Sequence, residues 1–312
     1  MNKLIYSCLL TVMLFGMTGC ADESTPSENT ATTDTLHDYS VLRMQVDSIA
    51  KTIDAKVAVG LIHLETGDTF SYNGYEHCPM MSTCKFPLAL LVLDYVDSGK
   101  LSLEQKIHIP RSEMRENTHS PMRDTLQGKE SDVSIHELLC YTVTMSDNIS
   151  TDVLLKQVGG PAAVTEYAKS RGMAGISMLH TEGQLGLNMQ RPYENWCAPM
   201  DMAKLLARFY NREILSATST DTLRDVMVRT TGGANRIKGL LPEGTGVAHK
   251  TGTSGFENGV NIAVNDIGVI ALPGGKHLIL TVYITDAKAE TAVCEKIIAQ
   301  IAKAAYDDAL EQ

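Results

Sequence analysis

The sequence predicts an α/β chain of the α+β kind: a five-stranded antiparallel sheet flanked by helices, with an all-helical subdomain beside it. Strand-like segments lie near both ends of the chain, the middle is helical, and the chain closes in an amphipathic helix. A sheet fed from both termini with helices between them is one sheet with a helical insertion.

Each element has its own signal. Val41, Met44, Ile49 and Ile53 lie roughly along one face of a first helix. Lys56 to Leu64 is strand-like, Thr66-Gly67-Asp68 is a turn, and Thr69 to Tyr72 completes a hairpin. Ser82 to Val96 is a long apolar stretch ended by Ser98-Gly99. Further helices are expected over Ile135 to Thr144, Ile149 to Val158, Ala162 to Ser170 and Met200 to Tyr210, with Gly159-Gly160-Pro161 and Gly172 as stops and starts. Thr181 to Pro199 has no clear period, and a loop of that length is expected to be functional or disordered. Gly246 to Lys250, Ile262 to Leu272 and Leu278 to Thr285 are β-rich, with Pro273-Gly274-Gly275 turning between the last two. In the closing helix, Thr291 to Leu310, an apolar stripe runs through Val293, Ile297, Ile298, Ile301 and Ala305.

The chain's 312 residues suffice for a sizeable core. Its net charge of −10 argues against nucleic acid and anionic membrane surfaces as partners, since both would repel it. The first twenty residues stand apart: Lys3 is their only charge, Ile5 to Phe15 is apolar but too short to span a bilayer, and Met17-Thr18-Gly19 precedes Cys20. This resembles a bacterial lipoprotein leader, which predicts export, cleavage before Cys20, acylation of Cys20 and a lipid anchor on a periplasmic domain. An ordinary signal peptide cut near Cys20 is the other reading. Residues 21–37, rich in Ser, Thr, Asp, Glu and Asn, read as a flexible linker. The domain then runs over 38–312, with an α/β part at 38–80 and 218–312 and a helical part at 81–217. Past Cys20, the five cysteines Cys78, Cys84, Cys140, Cys197 and Cys294 cannot all pair, and most read as buried small hydrophobes with room for one disulfide. No Cys/His spacing suits zinc, so no metal is expected.

Three short motifs occur in order: Ser82-Thr83-Cys84-Lys85, Ser146-Asp147-Asn148 and Lys250-Thr251-Gly252. Singly they are unspecific, since Ser48 to Lys51 has the first spacing too. Their set in context is specific: Ser82 opens an apolar helix, Ser146 follows one, and Lys250 lies on a strand. The chain thereby resembles the penicillin-recognising serine enzymes and, within them, class A β-lactamases. The likeness runs from about Ser40 to Tyr306 and implies the β-lactamase/transpeptidase-like fold.

Elementary chemistry agrees with the resemblance. Positions i and i+3 share a helix face, so Lys85 lies beside the Ser82 hydroxyl, which is a weak nucleophile until a base takes its proton. Without the other motifs Ser82 would read as a helix N-cap. The backbone N–H groups of Ser82 and Thr253 would form an oxyanion hole. The resemblance implies that Ser146 relays a proton, that Asn148 binds the substrate's side-chain amide, and that Asp147 holds its loop. It also implies that Lys250, Thr251 and Thr253 bind a carboxylate. Arg236 is either a second cation for that carboxylate or an exposed arginine. His119 is either a stacking residue on the rim of the site or a plain loop histidine.

Deacylation separates lactamases from penicillin-binding proteins, because water must be activated by a base. Thr181 to Cys197 resembles the enlarged omega loop of an extended-spectrum class A subgroup, which makes Glu182 the base and puts Tyr193, Asn195 and Trp196 at the loop's close. Glu194 is the competing carboxylate. Glu166, near Lys169, reads as a solvated helix face. Gly186 stands where many relatives carry a water-holding Asn, leaving Gln184, Asn188 or Asn195 to substitute, and His180 replaces a loop-tying arginine.

The expected function is β-lactam hydrolysis through a Ser82 acyl-enzyme by a monomer without cofactor, with small-molecule β-lactams as the partner. The alternatives are a DD-peptidase or penicillin-binding protein acting on peptidoglycan stem peptides, and a noncatalytic β-lactam sensor.

Overall fold

The computed structural model describes residues 37–311. The expectations for the leader, Cys20 and the linker up to Leu36 lie outside the described residues.

The chain enters through α1 (Ser40–Ala50), β1 (Lys56–His63), β2 (Thr69–Tyr72) and the short β3 (Cys78–Pro79). A 3₁₀ turn, Met81–Cys84, leads into α2 (Lys85–Asp97). Then come β4 (Lys106–Ile109), α3 (Pro121–Thr125), β5 (Ser131–Ser134), α4 (Ile135–Thr144), α5 (Asn148–Val158) and α6 (Pro161–Ser170). The aperiodic stretch holds two single-turn helices, α7 (Glu182–Leu185) and α8 (Arg191–Glu194), between the two-residue strands β6 (Ile176–Ser177) and β7 (Trp196–Cys197). Next are α9 (Pro199–Tyr210), α10 (Ala217–Val228), β8 (Val247–Thr253), β9 (Phe256–Glu257), β10 (Val260–Ala271), β11 (His277–Ala287) and α11 (Thr291–Ala309).

The main sheet runs β2-β1-β11-β10-β8, the five expected strands, with the two-residue β9 as an addition on β10. All neighbours are antiparallel. Successive strand residues point to opposite faces, and here both faces are covered. Leu278, Leu280, Val282 and Ile284 of β11 pack with α1 and α11. Ile279 and Tyr283 of the same strand join the core of the helical part. Burial on both sides explains why β1 and β11 read as continuous apolar runs rather than alternating ones. Gly60 lies under α9, where a Cβ would stand 2.9 Å from the Pro199 carbonyl, so glycine lets the helix rest on the sheet.

Helix α2 is buried through every residue from Lys85 to Leu93, the signature of a helix at the centre of other helices. Helix α10, which was not among the expected helices and falls in the stretch assigned to the α/β part, sends Leu223, Val226 and Met227 into the same core.

Two sequence expectations need correction. The buried face of α1 is Leu42, Val46 and Ala50, whereas Val41 and Met44 are exposed. The helix carries two apolar stripes one residue apart, and α11 packs on the one spaced i, i+4, i+8. In α11 itself Val293 is exposed and Cys294 takes the buried place beside Ile297, Ile298 and Ile301. His37 Nε2 lies 3.0 Å from Asp308 Oδ2, joining the start of the described chain to its last helix. The five cysteines are free, all but Cys140 buried, and burial pushes the Cys78 thiol up to about 12.

Candidate active site

The nucleophile turn is held in a strained shape. Met81 has φ +46°, a left-handed conformation that a side-chain-bearing residue rarely adopts. Asn265 on β10 offsets that strain by donating its buried amide to Pro79 O at 2.8 Å and Met80 O at 3.2 Å. Gly252 on β8 lies so close that a Cβ would stand 2.6 Å from Met80 O. The 3₁₀ turn presents Ser82 to the mouth of a cleft of about 1210 Å³, lined also by Ser146, Asn148, Glu182, Lys250, Thr251 and Thr253. Sequence reasoning placed Ser82 at the first turn of one helix. The structure inserts the 3₁₀ turn first, and α2 proper starts at Lys85.

Lys85 is fully buried, and its Nζ donates to Ser146 O at 2.7 Å and Asn148 Oδ1 at 2.6 Å. It also reaches Ser146 Oγ at 3.4 Å and stands 3.3 Å from Glu182 Oε1. Glu182 Oε1 is within ion-pair range but accepts no hydrogen bond among the described residues, because the Lys85 N–H groups aim elsewhere. A buried carboxylate oxygen is thus open to another proton donor. Lys250, also fully buried, donates to Ser146 Oγ at 2.9 Å and to Thr251 O at 2.9 Å. Burial first, and the charge of Lys85 second, push its ammonium down to about 7. Ser146 therefore bridges two lysines, and it does so from φ +57°. Asp147 caps α5 by accepting from Ser150 N–H and also accepts from the Ser120 hydroxyl and Met122 N–H, as a loop-holding residue does.

Strand β8 is the sheet's edge. Ser254 N–H donates to Ala263 O, so by the alternation of an antiparallel ladder the Thr253 N–H points to the free edge, along the cleft. Arg236 is 4% exposed, which removes the surface-arginine reading. Its guanidinium donates to Thr253 Oγ1 at 2.6 Å, to the carbonyls of Gly252 and Asn265, and to Glu295. His119 lines the cleft, exposed, with Nε2 at 2.9 Å from Met145 O. Asn148 donates its amide to Thr118 Oγ1, bracing Lys85 against the facing loop.

The omega loop is fastened by residues whose parts were not legible. Asn195 is 1% exposed, accepts from Leu179 N–H and His180 N–H, and donates to His180 O. Its carbonyl oxygen accepts twice and one amide N–H is in use, so its engagement is with the loop backbone, while Gln184 accepts from Thr181 N–H through its carbonyl oxygen. Asn188 accepts from Gln190 N–H and lines the cleft. The competing Glu194 is half exposed and pairs with His180, so that pair ties the loop. Tyr193 donates to Asp286 at the end of β11, and Trp196 stacks on His77 at 3.4 Å between ring centroids. Asp152 was missed altogether: its carboxylate accepts Glu182 N–H at 2.8 Å and Gly183 N–H at 2.9 Å. The available signal was its place on α5 one turn beyond Asn148, which puts it on the same face.

The Beta-lactamase enzyme family model matches residues 42–309. The chain belongs to the class A serine β-lactamases. It is 40% identical to the extended-spectrum β-lactamase PER-1 of Pseudomonas aeruginosa, over 87% of this chain and 88% of that protein. It is 39% identical to β-lactamase VEB-1 of the same organism, over 85% and 89%. A solved class A β-lactamase from Bacteroides cellulosilyticus superposes with a TM-score of 0.83 at 33% identity, covering 87% of this chain and 98% of that one. In this β-lactamase the three motifs and the omega-loop glutamate line one cleft.

Proposed function

We propose that this β-lactamase opens the β-lactam ring of penicillins and cephalosporins through an acyl-enzyme on Ser82, hydrolysed by water that Glu182 activates, and so confers antibiotic resistance. In acylation Ser82 Oγ bonds the ring carbonyl carbon, its proton passes to Lys85 or Glu182, and the carbonyl oxygen takes up charge facing the N–H groups of Ser82 and Thr253. The ring C–N bond then breaks and Ser146 delivers a proton to the departing nitrogen. In deacylation Glu182 takes a proton from water as its oxygen attacks the ester carbon, and Ser82 leaves as the alcohol. Lys250, Thr251 and Thr253 bind the substrate carboxylate, with Arg236 orienting the Thr253 hydroxyl and adding positive charge beneath it. Asn148 receives the side-chain amide and His119 borders it.

The observation that carries this reading is the buried Glu182 carboxylate, 3.3 Å from Lys85, with one oxygen free of hydrogen bonds. A penicillin-binding protein has no need of it. The wide cleft, with Leu187, Met189 and Val260 among its lining, supports acceptance of bulky cephalosporins. The test is nitrocefin turnover with intact-protein mass spectrometry. Wild type turns over and Glu182→Gln accumulates an adduct on Ser82. A wild type that stalls as a long-lived adduct refutes the reading in favour of a peptidoglycan peptidase or sensor. The leader sequence supports export to the periplasm and a lipid on Cys20; Cys20→Ser is expected to abolish acylation and change the protein's membrane association.

A further inference from the structure

We propose that Arg115 is a positioning residue for deacylation, acting through Asp152 as the counter-charge that lets this carboxylate hold the Glu182 turn in place. The proposal rests on the reading of Glu182 as the base.

Asp152 holds that turn by the N–H groups of Glu182 and Gly183, one on each carboxylate oxygen. Its side chain is only 9% exposed, and the Glu182 side chain 7%. Two nearly buried carboxylates thus sit on adjoining elements, and a buried charge without a partner is costly. Each needs a cation, and the structure supplies one apiece. Lys85 stands within ion-pair range of Glu182, while its hydrogen bonds go to Ser146 and Asn148. Arg115 Nη2 serves Asp152 at 2.8 Å and is the one cation paired with it among the described residues.

Arg115 comes from a different part of the cleft wall, the segment between β4 and α3. That segment is anchored by Arg123, which donates to the carbonyls of Arg115, Glu116 and Thr118. The ion pair thus fastens the omega loop's first turn to the opposite wall. Gly183 leaves room for it: a Cβ there would stand 2.6 Å from Arg115 Nη1. A charge-assisted bond to a carboxylate that itself orients two backbone groups restrains Glu182 without touching substrate. Small displacements of a base from the attacking water are expensive in rate, roughly a hundredfold for about 1 Å.

The experiment is a double-mutant cycle on the purified enzyme: wild type, Arg115→Ala, Asp152→Asn and the double variant, with Arg115→Lys and Glu182→Gln as references. Steady-state kcat and KM for nitrocefin are measured with the fraction of Ser82 adduct by quenched-flow mass spectrometry. Arg115→Ala is expected to lower kcat about 10- to 100-fold, to lower KM in step, and to accumulate adduct. Arg115→Lys is expected to recover most of kcat. In the Asp152→Asn background, where no charge needs a partner, removing Arg115 is expected to cost less than about threefold, the non-additivity of groups that act together. Gly183→Ala, which displaces the guanidinium without deleting it, is expected to accumulate adduct too and serves if Arg115→Ala folds poorly. A rise in KM with kcat unchanged would make Arg115 a substrate contact and overturn the proposal. An equal effect of Arg115→Ala in both Asp152 backgrounds would also overturn it. If Glu182→Gln itself gives no adduct, the premise about the base has failed instead.

Discussion

Asn195→Ala removes the clasp of the omega loop. The Asn195 amide makes three hydrogen bonds, with Leu179 N–H at 2.8 Å, His180 N–H at 2.9 Å and His180 O at 2.9 Å. Truncation leaves three partly buried backbone groups without partners where water has little access. At about 1 kcal/mol each, the lower end for an orphaned buried group, the loss is roughly 3 kcal/mol. For a domain of this size that is a fall in Tm of roughly 6–12 °C. The same clasp fixes the chain entering α7, so deacylation slows along with the loss of stability. Differential scanning calorimetry gives the first quantity, and nitrocefin kcat with the steady-state adduct gives the second. A variant within about 2 °C of wild type with unchanged kcat would refute the argument, because it would mean that the loop is held by His180–Glu194 and Tyr193–Asp286 without Asn195.

The depressed ammonium of Lys250 sets a pH dependence. The group is cationic below about 7 and neutral above, so kcat/KM for anionic β-lactams is expected to fall as pH rises past neutrality. Lys250→Arg, which stays charged, is expected to lose that alkaline limb in a pH–rate profile while keeping the acidic one. Gly252→Ala drives a Cβ into Met80 O at 2.6 Å and is expected to cost about 1–3 kcal/mol by denaturant titration and to slow acylation, seen as a drop in kcat/KM. Dialysis against EDTA is expected to leave turnover unchanged, since every group in the proposed sequence is a side chain or backbone amide; loss of activity would contradict it.

Strong local signals proved reliable. The helix Ile135–Thr144 and the strand Thr69–Tyr72 were legible to the residue: a Thr66-Gly67-Asp68 turn marks the start of the strand, and the structure adds a Ser134/Glu137 capping box at the start of the helix. The three motifs were legible as chemistry because each carries its own reactive groups. What failed was any choice settled by a distant partner. Two apolar stripes on α1 are indistinguishable until α11 selects one. Helix α10 is rich in Ser, Thr and Asp and is helical because Leu223, Val226 and Met227 find the helical core. Asp152, Arg115 and Asn195 act by bonding backbone or charge far along the chain, and such bonds leave no periodic trace. Arg236 could be read either way until its four partners were in view.

The sheet joins the first strand of the domain to the last, and this has a consequence for how the protein is made. β1 pairs along its whole length with β11, and Thr281 of β11 donates to Gly60 across 221 residues. Until β11 leaves the ribosome, the β1–β2 hairpin has two apolar faces and no neighbour, and an isolated hairpin is marginal at best. Contacts of such sequence separation close late and slowly. The helical core can gather during synthesis, but the cleft cannot, because its β8 wall hangs from β10, which in turn hangs on β11. Catalytic competence should therefore appear in one step after chain release. Ribosome-stalled chains ending before His277 should bind no β-lactam, while full-length chains acquire binding and protease resistance together.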